Sequence, residues 1–259
     1  MTVEIEIIPA GRLPRLENRP LEKRIGLIIL ATDHTTEVDF QRMVASDRLG
    51  VYVSRIHYAN PVTAENLLRM QPLLTQGAAL ILPDEALDAI VYSCTSASVV
   101  IGDVEIEAAI QSAKPGVSVV TPPMAGVLGL RALGAKKVSI LTPYTVETSR
   151  PMATYFAERG FEIASFACLG FEDDREMARI APASLIELAR EATHAEADAL
   201  FVSCTALRGA LAVTGMEEAI GRPVVTSNQA SAWNCLRLCG DKTPHPEFGR
   251  LMTLPLPRD

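Results

Sequence analysis

Two copies of one short motif, 110 residues apart, each deliver a cysteine. The first reads Asp88-Ala89-Ile90-Val91-Tyr92-Ser93-Cys94-Thr95 and the second Asp198-Ala199-Leu200-Phe201-Val202-Ser203-Cys204-Thr205; Asp, Ala, Ser, Cys and Thr are shared. A thiol placed just past a short apolar run and at a helix start has two chemical advantages. The helix N-terminus favours thiolate over thiol and lowers its pKa toward neutrality. The free amides that follow, at Thr95, Ser96 and Ala97 and at Thr205, Ala206 and Leu207, can hold a substrate carboxylate beside the sulfur. Two such sites facing each other could take a proton or attack carbon on one side of a substrate and return a proton from the other. That suits inversion at a carbon next to a carboxylate, or addition to a carbon–carbon double bond. A single free cysteine usually behaves as a small hydrophobe. Cys168, Cys235 and Cys239 lie in no repeated motif and are read as core.

Three other places offer chemistry. In Thr32-Asp33-His34-Thr35-Thr36-Glu37, His34 could hydrogen-bond a carboxylate or tune a thiol. Thr142-Pro143-Tyr144-Thr145 is its counterpart in the second half, and Tyr144 could donate to a carboxylate. Glu172-Asp173-Asp174-Arg175 is a charge run, to be read as a solvated turn or, through Asp174, as a ligand contact. His57, His194 and His245 lack metal-ligand spacing, and no nucleotide-binding or zinc motif is present, so neither metal nor cofactor is expected.

The elements that must position these residues alternate strand and helix. An apolar run entered by Asp-Ala and left through Ser-Cys-Thr predicts a buried parallel strand with its cysteine at the carboxyl end, where open α/β sheets place their ligands. Strands are predicted at 24–30, 51–56, 89–93 and 117–121, with helices starting near Thr35 and covering 63–82 and 126–133. The pattern then restarts: strands at 137–142, 161–166, 199–203 and 223–226, helices at 147–159, 182–195, 209–220 and 231–238. Val119-Val120-Thr121 is echoed by Val224-Val225-Thr226. Repeated βα units imply parallel sheets with right-handed crossovers. The predicted fold is therefore α/β, with two pseudo-symmetric parallel-sheet lobes from an internal duplication and the site in the cleft between them. Residues 1–22, broken by Pro9, Gly11, Pro14 and Pro20, are expected to be irregular.

The whole chain narrows the function class. Its 259 residues, 48% hydrophobic and 21% charged, suit a soluble core-forming protein. A net charge of −7 with scattered Lys and Arg argues against nucleic acid as partner. No stretch is long and apolar enough to predict a membrane span, and the first residues lack the basic and apolar regions of a signal peptide. Five cysteines without scaffold spacing fit a reducing cytoplasm, where a thiol stays available.

Tyr92-Ser93-Cys94-Thr95-Ser96, Val202-Ser203-Cys204-Thr205 and Thr142-Pro143-Tyr144-Thr145 resemble the aspartate/glutamate racemase superfamily, in its maleate cis–trans isomerase and arylmalonate decarboxylase branch. The resemblance runs from Arg24 to about Gly240, and the wording of Thr32 to Glu37 is most similar to ectoine-utilisation proteins. It implies a cofactor-free enzyme, often a homodimer, acting on a small carboxylate or amino acid between its lobes. It also implies that the last helix returns to the first lobe, giving lobes of 23–122 with 228–259 and of 123–227. In maleate isomerases the cysteine matched by Cys94 adds to the alkene, that matched by Cys204 acts as acid and base, and the tyrosine matched by Tyr144 holds a carboxylate. Two asparagines of those enzymes fall where this chain has His34 and the Asp173-Asp174 pair. An acid there would repel a second substrate carboxylate and pair with an ammonium group. The expectation is a cysteine-pair isomerase, foremost a racemase or epimerase of a diaminobutyrate-type amino acid in ectoine breakdown. The alternatives are a maleate-type isomerase and a non-catalytic binding protein for an ectoine metabolite.

Overall fold

The computed structural model describes residues 5–257. Two four-stranded parallel sheets carry the chain, in the orders β2-β1-β3-β4 and β6-β5-β7-β8. The first is built from β1 (Lys23–Leu30), β2 (Leu49–Ile56), β3 (Ala89–Tyr92) and β4 (Ser118–Val120). The second repeats it with β5 (Lys137–Tyr144), β6 (Glu162–Phe171), β7 (Ala199–Val202) and β8 (Val224–Thr226). The central strands read as near-continuous apolar runs because helices cover both faces. Ile25, Ile90, Ile140 and Phe201 are fully buried.

The shared aspartate of the cysteine motifs has a structural use. Asp88 accepts from the Arg24 amide at 2.9 Å and from Lys23 Nζ at 2.8 Å. Asp198 accepts from the Lys136 and Lys137 amides at 2.9 and 2.8 Å. Each ties the amino end of its cysteine strand to the neighbouring strand, far from the chemistry at the other end.

Helices α1 (Thr36–Met43), α2 (Ala64–Leu68), α3 (Leu74–Ala79), α4 (Thr95–Ile101), α5 (Asp103–Gln111) and α6 (Pro122–Ala132) serve the first half. The single helix expected over 63–82 is three pieces, α2, a 3-10 turn at Gln71–Leu73, and α3. Pro72 explains the break, since it lacks an N–H and disfavours helical backbone before it. In the second half α7 (Val146–Glu158), α8 (Asp174–Met177), α9 (Pro182–Ala192), α10 (Gly209–Ile220) and α11 (Ser227–Leu238) follow. The strand expected over 161–166 continues to Phe171. Helix α11 starts four residues earlier than expected, because Gln229 Oε1 accepts the Thr226 amide at 3.1 Å and closes its first turn. The segment 5–22 carries neither helix nor strand. Among the described residues no helix is long and apolar enough to cross a membrane.

Candidate active site

Both cysteines stand at the carboxyl ends of central strands, but their backbones differ. Cys94 is extended, with φ −149°, and is the residue immediately ahead of α4. Its carbonyl accepts the Ser98 amide at 3.0 Å and Ser98 Oγ at 2.7 Å. The Ala97 amide hydrogen-bonds the sulfur. Cys204 does not start a helix, contrary to expectation: α10 begins only at Gly209, and Cys204 has φ +96°. That left-handed backbone turns 205–208 into a tight loop whose Ala206 and Leu207 amides hydrogen-bond the Cys204 sulfur. A non-glycine residue held there costs about 1–3 kcal/mol, which its surroundings must supply.

Those surroundings are a buried hydrogen-bond network that locks the two cysteine loops together. Thr205 Oγ1 donates to the Ser93 carbonyl at 3.2 Å, and Thr35 Oγ1 to the Ala206 carbonyl at 2.8 Å. Ser227 Oγ accepts from Thr95 Oγ1 at 2.8 Å and from the Cys204 amide at 3.1 Å. Asn228 Nδ2 donates to the Thr205 carbonyl and to Asp39 Oδ2, both at 2.9 Å. The hydroxyls of Thr95 and Thr205 are thereby committed to structure, so what these residues can offer a substrate is their amides. Ser96 Oγ lies 3.8 Å from Cys94 Sγ.

The loops that leave β2 and β6 clasp each other. Asn60 Nδ2 donates to Asp174 Oδ1 at 2.8 Å and to Asp173 Oδ1 at 2.9 Å, and the Val62 amide donates to the Glu172 carbonyl at 2.8 Å. Thr32 Oγ1 closes the clasp on Asp174 Oδ2. The charge run splits accordingly: Asp174 is buried on the inside, while Asp173 faces outward and pairs with Arg175. His34 is exposed and lines an outer depression with Asp173, Arg175, Glu176 and Arg179. The structure brings Cys94, Cys204, Tyr144, Ser96 and Asp174 together and leaves His34 at the outer rim. Asp33 takes the inward place instead, accepting the Thr35 and Thr36 amides at 2.8 Å each.

Burial reverses the expected thiol electrostatics. Desolvation pushes Cys94 up to about 12 and Cys204 up to about 11, against the opposing pull of the amides. The negative charge of Asp174 adds to the rise at both sulfurs, and a charge on Cys204 adds to it at Cys94. Both groups are thiols near neutral pH. Tyr144 is buried and its hydroxyl reaches Cys204 Sγ and Ser96; its donation favours the Cys204 thiolate. Cys204 Sγ also lies 3.9 Å from Met177 Sδ. All five cysteines are free. Among the described residues no group of three or more His, Cys, Asp or Glu side chains could hold a metal ion.

Sequence reasoning missed Tyr58, Asn60, Ser227 and Asn228. Their available signal was position, since each follows a predicted strand at its carboxyl end.

The arylmalonate decarboxylase family model matches residues 53–252. The chain belongs to this family. It is 30% identical to the maleate isomerase of Nocardia farcinica over 89% of this chain and 95% of that one. The solved maleate cis–trans isomerase of that organism superimposes with a TM-score of 0.81 at 28% identity, covering 89% of this chain and 98% of the other. A cysteine-to-serine mutant of it, solved with a covalently bound succinylcysteine intermediate, gives a TM-score of 0.81 at 25% identity and the same coverage. The α/β fold and the enzyme class read from the residues, an isomerase, are those of these relatives.

Proposed function

We propose that the protein is a cofactor-independent isomerase that works on a small carboxylate between Cys94 and Cys204, with the lobes 23–122 plus 228–259 and 123–227 closing on it. One observation carries this reading: two buried thiols from opposite sheets, each hydrogen-bonded by backbone amides, lie within electrostatic reach of each other and of the Asp174 carboxylate. The amides beside the sulfurs hold the substrate carboxylate. Cys94 and Cys204 address opposite faces of the adjacent carbon, one removing its proton as thiolate and the other supplying a proton.

Asp174 favours an amino-acid substrate and hence racemisation or epimerisation. A substrate ammonium beside Asp174 cancels the charge that disfavours both thiolates, so binding itself eases ionisation. A second carboxylate would add to that charge. This fits a diaminobutyrate-type compound of ectoine breakdown, and the same reading has the enzyme acting as a cytoplasmic homodimer. A second reading, cis–trans isomerisation through a covalent Cys94 adduct, draws on the succinylcysteine trapped in the solved relative.

Proton NMR in D2O with aspartate, glutamate, diaminobutyrate, its N-acetyl forms and maleate separates them. Loss of an α-proton signal from an otherwise unchanged amino acid is expected. Conversion of the maleate olefinic signal to that of fumarate would replace this reading with the second, and silence across the panel would count against both.

A further inference from the structure

Tyr58 lies two residues beyond β2, in the loop that Asn60 ties to Asp174. It is 6% exposed, and its hydroxyl is buried without a hydrogen-bond partner. A buried phenol normally finds a partner, and one left alone calls for an explanation. Burial above all keeps the phenol protonated, and it stands within electrostatic reach of Cys94, Asp174 and Cys204. It therefore remains an O–H donor in the neighbourhood of both thiols.

Several other hydroxyls near the thiols are already committed, although Ser203 Oγ, on the strand side of Cys204, is also without a partner. Thr95 donates to Ser227, Thr205 to the Ser93 carbonyl, Thr32 to Asp174, and Tyr144 reaches Cys204 and Ser96. The amides beside the sulfurs come from the cysteine loops, whereas Tyr58 comes from the clasp, a separate source of a donor.

We propose that Tyr58 is a substrate-binding residue whose hydroxyl donates to the substrate carboxylate, holding it against the amides beside the thiols. This rests on the reading that a small carboxylate binds between Cys94 and Cys204. It assigns the clasp loop a direct role in binding: the partner that Tyr58 lacks arrives with the substrate.

Alkylation by iodoacetate and by iodoacetamide tests it without a known substrate. The two reagents deliver the same carbon to sulfur, but only iodoacetate carries a carboxylate. Saturation kinetics at Cys94 and Cys204, mapped by peptide mass, give the preference for iodoacetate over iodoacetamide in the wild type and in Tyr58→Phe. The expected result is a wild-type preference that falls about tenfold in the variant, the equivalent of one hydrogen bond to a charged group. Iodoacetamide rates and the melting temperature should hold, since no protein hydrogen bond is lost. An unchanged preference in the variant would overturn the role of Tyr58 and leave the carboxylate site standing. A lowered melting temperature with altered rates for both reagents would make Tyr58 a packing residue and overturn it too. A wild type that does not prefer iodoacetate would overturn the carboxylate site, and with it the role of Tyr58.

Discussion

Asp174→Asn is the substitution that most directly tests how the thiols are controlled. The carboxamide oxygen can still accept from Asn60 and its Nδ2 can donate to Thr32 Oγ1, so the clasp keeps its partners, but the buried charge that adds to the rise at both thiols is gone. Unit charges about 8 Å apart at an effective dielectric of about 20 interact by about 2 kcal/mol, or about 1.5 pKa units, an upper scale for the Asp174 contribution, which is smaller than that of burial. Cys94 and Cys204, at about 12 and about 11, titrate well above neutrality. The thiolate fraction at pH 8 therefore rises nearly in proportion to the drop in pKa, by about tenfold or more. The assay is the rate of iodoacetamide labelling at these two cysteines between pH 7 and 9. Asn60→Ser serves as a control that loosens the clasp without removing the charge. The variant is expected to label about tenfold faster at every pH in the range, well beyond the control. A change of less than twofold, or one matched by Asn60→Ser, would refute the view that the Asp174 charge adds measurably to burial in holding the sulfurs protonated. If the substrate is an amino acid, as proposed, the same variant should lose turnover, because a substrate ammonium would have lost its counter-charge.

Three further perturbations have defined outcomes. Cys94→Ser and Cys204→Ser should each cut α-proton exchange by about 10³-fold, the scale of general acid–base catalysis, with the melting temperature intact; near-wild-type exchange in either would end the two-thiol mechanism. Cys204→Gly should be about 1 kcal/mol more stable than Cys204→Ala in urea unfolding, because only glycine takes the +96° backbone without strain; equal stability would mean the loop relaxes. Burial lifts Asp39 from 3.8 to about 7, so its folded state holds a proton that the unfolded state releases. Stability from this group is full below about pH 4, is lost as pH rises to about 7 by up to about 4 kcal/mol, and is flat above. Asp39→Asn should flatten that slope in denaturant titrations at pH 5 and 8, and an unchanged slope would refute the assignment.

The two thiols were legible in the sequence because a repeated apolar strand ending in Ser-Cys-Thr is a local pattern, and strand ends in parallel sheets collect ligands. The duplicated α/β architecture followed from the same periodicity. What was not legible depends on contacts between distant segments. Asp174 and Asp173 are neighbours of one residue type, yet one is buried against Thr32 and Asn60 and the other pairs outward with Arg175. Only the meeting of the β2 and β6 loops decides which faces inward. Tyr58 shows the same dependence, since a tyrosine near a strand end gives no sign of a hydroxyl left without a partner.

The thiol pKa is where local reasoning failed outright, and the failure bears on mechanism. A cysteine at a helix start favours thiolate only while solvent or a counter-charge supports the anion. Here amides do face both sulfurs, but burial and the Asp174 carboxylate outweigh them. The backbones differ as well, with Cys94 capping α4 and Cys204 held at positive φ in a loop that Ser227 and Asn228 fasten. Matching motifs have thus become unlike sites: Cys204 has two amides and the Tyr144 hydroxyl to support its anion, Cys94 one amide and Ser96. That inventory makes Cys204 the easier of the two to ionise. Because burial is the largest cause of the rise at both sulfurs and the Asp174 charge a smaller one, a positive group beside Asp174 would ease their ionisation without removing the main barrier to it.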